Sequence, residues 1–232
     1  MIPKKYLASL KSVGELSDDV SYFTFNLGSP MLFEPGQFVM ISMDIGGETV
    51  KRAYSIASSP DSTEVLAFCV KLLKDGKLSS ALDKLETGDT VEIQGPYGKF
   101  LLSEPELDQL FIAAGTGVAP LIPMLKSYLE NNTCEATLLF GFRHEKDFLF
   151  KKDLEKLTSS YANFKLVPIT SRPHEGWTGL SGHVTAYLAE HINDIDRTIS
   201  YVCGHNDMVV DVRKVLIEAG LSPERIKIDN WG

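Results

Sequence analysis

Between Val20 and Leu27 the chain alternates, with Phe23, Phe25 and Leu27 set against polar neighbours. A period of two predicts a strand with one buried face. Glu34-Pro35-Gly36 interrupts before a second strand over Gln37 to Met43, and Gly46-Gly47 marks a tight turn into a third strand that carries Arg52. Val65 to Leu73 is a further apolar run. After Gly76 the spacing becomes helical, with Leu78, Leu82 and Leu85, until Thr87-Gly88-Asp89 introduces a strand over Thr90 to Gln94 and Gly95-Pro96-Tyr97-Gly98 closes the series. Strand-rich order with one short helix predicts a small antiparallel β-barrel over residues 1–102.

From about Leu107 strands and helices alternate, the pattern of a parallel sheet covered by helices on both faces. The predicted strands are Leu110 to Ala114, Ala136 to Phe140, Phe164 to Ile169 and Thr198 to Cys203, with a short apolar strand opening at Ile226. The predicted helices are Pro120 to Glu130, Lys152 to Leu157, Val184 to Glu190 and Met208 to Ala219. Pro120 stands where a first helical turn tolerates proline, and Gly220 where a helix commonly stops. The expectation is a second, α/β domain over 103–232. The boundary stretch Ser103-Glu104-Pro105-Glu106 is too short for a flexible linker.

Composition narrows the function more by exclusion than by indication. At 232 residues and 44% apolar the chain has room for two cores, and its net charge of −8 disfavours nucleic acid as a partner. The start, Met-Ile-Pro-Lys-Lys-Tyr, lacks the apolar core of a signal peptide, and no stretch approaches the ~20 apolar residues that span a bilayer, so a cytoplasmic protein without membrane partner is expected. Cys69, Cys134 and Cys203 are widely spaced, which supports neither a disulfide framework nor an iron-sulfur cluster, and the five histidines show no metal-ligand spacing. No metal site is expected.

Arg52-Ala53-Tyr54-Ser55 places a fixed cation, a large aromatic and a hydroxyl within four positions. Alternation sends Arg52 and Tyr54 to one face and Ala53 and Ser55 to the other. Arg52 can fork onto a phosphate, Tyr54 can lie on a flat ring or bond a sugar hydroxyl, and Ser55 can donate to a ring nitrogen. The plain alternative is a half-buried strand with one surface arginine. Gly76-Lys77-Leu78-Ser79 is a glycine turn running into a helix, either an anion site for a diphosphate or a helix that Ser79 caps. Gly115-Thr116-Gly117-Val118-Ala119-Pro120 follows a strand and opens a helix, as a nucleotide loop or as a tight turn, and it lacks the third glycine of the dinucleotide fingerprint. Cys203-Gly204 ends a late strand, where such sheets place ligands, and the plain alternative is a buried structural thiol. Buried structural thiols are the reading for Cys69 and Cys134.

The order of these motifs resembles the ferredoxin-NADP reductase family over essentially the whole chain: Arg52-x-Tyr-Ser55, Phe68-Cys-Val-Lys71, Gly76-Lys-Leu-Ser79, Gly95-Pro-Tyr-Gly98, Gly115-Thr-Gly-Val-Ala-Pro120, Cys203-Gly204. The resemblance implies an N-terminal barrel holding FAD and a C-terminal domain holding NADPH or NADH. Arg52 with the Gly76, Lys77, Leu78, Ser79 turn would hold the FAD diphosphate. Tyr54 would pack on the flavin, with Ala53 beside it. Ser55 would bond flavin N5, and Val70 and Lys71 would offer backbone contacts. Gly115, Thr116, Gly117 and Pro120 would form the coenzyme loop. Cys203, Gly204 and, at the head of the next helix, Met208 would border the nicotinamide. Ser55 and Cys203 would hold N5 and C4 for hydride transfer, and Trp231 would cover the flavin and move aside. Ser171-Arg172, with Arg143, resembles a site for the 2′-phosphate of NADPH, whereas Gly176-Trp177-Thr178-Gly179 is more like NADH-using relatives and His183 stands near where some members have a further arginine.

The expected function is an NAD(P)H-dependent flavoprotein reductase, standing alone, that passes electrons to an acidic ferredoxin or flavodoxin or to an oxygenase component. Lys51, Lys71, Lys74, Lys77 and Lys99 could steer such a carrier or could serve the cofactor phosphates. A reductase of freely diffusing flavin and a non-catalytic flavin-binding sensor or scaffold are the rival readings.

Overall fold

The structure, a computed structural model, describes residues 2–231, and the side chain of Trp231 lies outside the described residues. The chain divides into two units, Met1–Leu101 and Leu102–Gly232.

The first unit is a six-stranded antiparallel sheet of β1 (Lys4–Ser17), β2 (Val20–Asn26), β3 (Phe38–Ile45), β4 (Glu48–Ser55), β5 (Val65–Lys71) and β6 (Thr90–Tyr97), in the order β4-β3-β6-β1-β2-β5. Its edge strands meet where Ile56 bridges Phe68, so the sheet curls into a barrel. The alternation in β2 does what it implies: Phe23, Phe25 and Leu27 are buried, Phe25 lies 6.1 Å from Phe68, and all join one core with Ile41, Leu66 and Ile93. The short helix α1 (Lys77–Leu82) drops Leu78 and Leu82 into that core, and Leu85 packs on it from beyond the helix.

β1 has no counterpart in the sequence reading, although it is the strand between β2 and β6. Tyr6, Ala8 and Leu10 point inward, but Ala8 is a weak apolar signal, Leu7 on the opposite face is 73% exposed, and pairing irregularities at Leu10/Ser12 and Glu15/Ser17 break the period.

The second unit is a parallel sheet of β7 (Asp108–Ala114), β8 (Ala136–Phe142), β9 (Phe164–Thr170), β10 (Leu180–Ser181), β11 (Thr198–His205) and β12 (Ile226–Trp231), in the order β10-β9-β8-β7-β11-β12. Sequence neighbours therefore run outward from β7 one way and from β11 the other, and the order reverses between these two strands. Helix α4 (Asn206–Glu218) buries Val209, Val212 and Leu216 against Leu110, Ile112 and Val202. Phe111 and Tyr201, stacked at 5.2 Å, alternate to the other face, where helix α2 (Val118–Asn131) packs on β7, β8 and β11 and α3 (Lys151–Ser160) on β9. The opening of this unit is tied down by Tyr201, whose hydroxyl accepts from Ser103 N at 2.8 Å and donates to Ser103 O at 3.1 Å.

The helix expected over Val184 to Glu190 is instead two successive 3-10 turns, Val184–Tyr187 and Ala189–His191. Val184 and Leu188 are both buried and stand four apart, which mimics a helical face. One pair of anchors needs only one turn, and β-branched Val184 and Thr185 favour no longer helix. Among the described residues no helix is long and apolar enough to cross a membrane.

Candidate functional site

In the barrel, the β3–β4 pairing sets Arg52 opposite Ile41, Tyr54 opposite Val39 and Ser55 opposite Phe38. Val50 is buried, Tyr54 packs on the core, and Arg52 between them on the same face of β4 is exposed, its Nη1 donating to Lys51 O at 2.8 Å. Burial pushes the Tyr54 phenol up to about 12, against the pull of Arg52, so it is a neutral O–H at ordinary pH. The bridge from Ile56 to Phe68 runs antiparallel and carries Tyr54 toward Val70, so β4 and the end of β5 share one stretch of barrel wall. Val70 is buried, and Lys71 is exposed with its ammonium 3.1 Å from Asp19.

Helix α1 packs on β3 and β4. Ser79 is not its cap. It lies inside the helix and is buried, its hydroxyl donating to Gly76 O at 3.3 Å and accepting from Leu73 N at 3.2 Å. Gly76 caps the helix with no side-chain bond, so the first-turn N–H groups meet no capping oxygen. Lys77 pairs with Glu48 of β4 at 2.8 Å, and Lys77 first, then Arg52, holds the Glu48 carboxyl below the usual carboxylate range. The Lys77–Glu48 pair thus ties α1 to β4, the strand that carries Arg52.

Of the lysines named as a basic face, Lys71 and Lys77 are paired with acids and Lys51 donates to Gln94 at 2.8 Å. Lys74 and Lys99 make no ion pair among the described residues, so the unpaired positive charge is smaller than the sequence suggests.

In the second unit the loop Gly115–Gly117 leaves β7 as a 3-10 turn and Cys203-Gly204 ends its neighbour β11, with Cys203 opposite Ala113. Gly115 has φ +54° with no atom within 4 Å of where a Cβ would stand, while a Cβ at Gly117 would lie 2.7 Å from Cys203 C and 2.9 Å from Gly204 Cα. Gly117 is therefore pressed onto the β11 backbone, and Met208 Cε covers Gly204. Thr116 is half-buried and Pro120 lies buried in the first turn of α2. The loop stands where the strand order reverses, the crevice in which such sheets bind ligands.

One strand over, on the same edge, Ser171 N donates to Phe142 O and Arg172 N to Arg143 O, each at 2.8 Å. Arg143, Ser171 and Arg172, far apart in sequence, are thereby neighbours at the ends of β8 and β9.

The fully buried Cys203 thiol approaches Asp229 Oδ2 at 3.9 Å. Burial first, then Asp229, pushes that thiol well up, and burial raises the Asp229 carboxyl. Asp229 is absent from the sequence reading, because only the β11–β12 register brings it opposite Cys203. His174 and Glu145, 3.1 Å apart beside the arginines, are equally illegible. Trp231 pairs with His205 through the β12 backbone, and its expected stacking on a flavin lies outside the described residues. Cys69 is buried as expected, whereas Cys134 is half-buried, its thiol 3.4 Å from Glu106 O.

A barrel with a clustered Arg-Tyr-Ser strand and an open helix cap, in one chain with a glycine loop at a sheet's switch point, defines the class of two-domain dinucleotide-binding proteins. The family model for the oxidoreductase FAD-binding domain matches residues 7–101, and that for the oxidoreductase NAD-binding domain matches 111–214. Ferredoxin–NADP reductase B of Sorangium cellulosum is 32% identical, with 97% of this chain and 96% of that protein covered. The glycine betaine monooxygenase reductase subunit of Chromohalobacter salexigens is 30% identical over 92% of this chain, which spans 61% of its length. The cytochrome P450 reductase of Amycolatopsis superposes with a TM-score of 0.90 at 26% identity, covering 98% of this chain and 70% of that one. The chain belongs to the ferredoxin–NADP reductase family, and it is an NAD(P)H-dependent, FAD-containing oxidoreductase.

Proposed function

We propose that this protein draws electrons from NADPH or NADH through FAD and hands them singly to a separate acceptor, a ferredoxin, a flavodoxin or the oxygenase component of a two-part enzyme. The observation that carries this reading is the packing of Gly117 onto Cys203-Gly204 at the switch point, in the same chain as a barrel whose strand β4 carries Arg52 and is bridged to α1 by the Lys77–Glu48 pair. Relatives named for ferredoxin, for a betaine monooxygenase and, at 31% identity over 77% of this chain, for cytochrome b5 in Dictyostelium discoideum support a common chemistry with differing acceptors.

The residues present fit the two groups. Exposed Arg52 retains N–H groups beyond its bond to Lys51, and α1 has an open cap, so both suit a diphosphate. Neutral Tyr54 suits the flavin and its side chain, and half-buried Ser55 can donate to N5. The backbone at Val70 and Lys71 borders the same wall. Gly115, Thr116 and Gly117 suit the coenzyme's phosphates, with Cys203, Gly204 and Met208 bordering its nicotinamide, and Cys203 can act there only as a neutral thiol. Arg143, Ser171 and Arg172 suit a 2′-phosphate, which favours NADPH. Bound FAD supplies the conversion of a two-electron donor into single-electron steps. The chain supplies orientation and exclusion of water.

Purified protein is expected to be yellow, to bleach on anaerobic addition of NADPH, and to recolour when oxidised ferredoxin or flavodoxin is added. Colourless protein that reduces added flavin would replace this reading with that of a free-flavin reductase. Yellow protein that never bleaches would leave a flavin-binding sensor.

A further inference from the structure

Beyond the ends of β8 and β9 the chain continues as two exposed arms. Backbone pairing holds them together as far as Arg143 and Arg172, with Thr170 Oγ1 also donating to Arg143 O at 2.7 Å. They then separate, one arm entering a 3-10 turn at Glu145–Asp147 and the other running through Pro173 and His174. His174 rejoins them, its Nε2 at 3.1 Å from Glu145 Oε2. The other ring nitrogen, Nδ1, stands 2.7 Å from Glu175 O.

Both partners of this ring are pure acceptors, a carboxylate and a carbonyl. A neutral imidazole has one N–H, so either tautomer would turn a ring lone pair toward an oxygen, and only the imidazolium donates at both ends. The ring also stands edge-on to Trp177, at 6.2 Å and 77°, and Trp177 in turn meets Phe142 at the end of β8 and donates to Leu180 O at 3.1 Å. The β9 arm is thus packed at Trp177 and clasped at His174.

We propose that Glu145 and His174 are positioning residues for coenzyme selection: beyond the backbone pairing of Arg172 with Arg143 their pair braces the two arms, and with them the arginine side chains, and it holds only while His174 carries its second proton. This rests on the reading of Arg143, Ser171 and Arg172 as the groups that meet the 2′-phosphate of NADPH.

The ionisable groups around the clasp are Arg143, His144, Glu145, Lys146, Asp147 and Lys151 on the β8 side, and Arg172 and Glu175 on the β9 side. Lys151 Nζ lies 3.2 Å from the second oxygen of Glu145 and, ahead of His174, holds that carboxyl below the usual range. Glu145 therefore stays ionised near neutrality, and His174 is the member that titrates. Its pKa is raised above the ordinary 6.5, first by the Glu175 carbonyl and then by Glu145. A raised value means that the clasp is complete at low pH and is lost as pH rises through the folded-state value.

The test uses adenosine 2′,5′-bisphosphate against 5′-AMP, ligands without nicotinamide, bound to the FAD-loaded protein in a calorimeter between about pH 6 and pH 9. In the wild type the affinity ratio should fall about threefold with rising pH, the scale of an exposed ion pair. His174→Gln should give a low ratio that rises only with the ionisation of the 2′-phosphate near about pH 6 and shows no later fall. Glu145→Gln should lower the midpoint of the His174 ring titration seen by NMR, and the midpoint of the ratio should move with it. The 2′-phosphate itself ionises near about pH 6 and strengthens binding as pH rises, so its own titration has the opposite sign. A ratio in His174→Gln that follows the wild type at every pH, while Arg172→Ala collapses it, would overturn the clasp alone. An unchanged ratio in Arg172→Ala would remove the 2′-phosphate reading and the clasp's role with it.

Discussion

A methyl group at Gly117 has nowhere to go. The atoms it would meet are backbone, with Cys203 O in direct overlap, Cys203 C at 2.7 Å and Gly204 Cα at 2.9 Å. They belong to β11, which β7 and β12 pin from both sides. Carbon contacts settle at about 3.5–4.0 Å, so in Gly117→Ala the loop must retreat by roughly 1 Å. Overpacking of this kind costs about 1–3 kcal/mol, which for a chain of this size lowers Tm by roughly 2–12 °C. A displacement of about 1 Å at a reacting centre can cost up to about a hundredfold in rate. Gly117→Ala should therefore keep its FAD, melt earlier in differential scanning, and slow NADPH-dependent bleaching by tenfold to a hundredfold, roughly, in anaerobic stopped flow. Gly115→Ala is the control. There the obstacle is φ +54° with open space around the new carbon, and the strain is about 1–2 kcal/mol without a collision. If Gly117→Ala bleaches as fast as Gly115→Ala and melts with the wild type, the loop does not rest on β11 as described.

Arg52→Ala should lose FAD on dilution, with affinity down about tenfold to a hundredfold as a charge-assisted bond implies, and a wild-type absorbance ratio after gel filtration would refute its role. Thiol titration of the native protein should find Cys134 reactive and Cys203 and Cys69 silent, because Cys203 is fully buried and burial pushes the Cys69 thiol up to about 12; rapid labelling of Cys203, located by mass spectrometry, would contradict the packing. The raised Tyr54 phenol means that the unfolded chain ionises first, so this group's contribution to stability should be flat below the ordinary value of 10.0 and fall as pH rises from there toward about 12. Tyr54→Phe should remove roughly 2 kcal/mol of that loss in chemical denaturation, and an identical alkaline decline would refute the burial.

Periodicity settled the class of each half. Alternation at Phe23, Phe25 and Leu27, and buried runs such as Leu110 to Ala114, are local consequences of a face that must be dry, and they survive in any frame. Gly115 and Gly117 were equally readable as a loop, because a positive φ and a close approach leave no residue but glycine. β1 was hidden since its apolar face is built from Tyr6, Ala8 and Leu10 with irregular pairing, and its strand character comes from β2 and β6 on either side. The two 3-10 turns after His183 had a helix-like spacing that only the packing of Val184 and Leu188 could shorten. Among site residues, the sequence could name Arg52, Tyr54, Ser79 and Cys203 by type, but the inward-turned Ser79 hydroxyl and the pairing of Lys77 with Glu48 depend on how α1 lies across β4. Asp229 beside Cys203 and Glu145 beside His174 are partners across strand registers and loop ends, separated by 26 and 29 positions along the chain. No local pattern encodes such pairs, because the energy that selects them is spread over the whole sheet that sets the register.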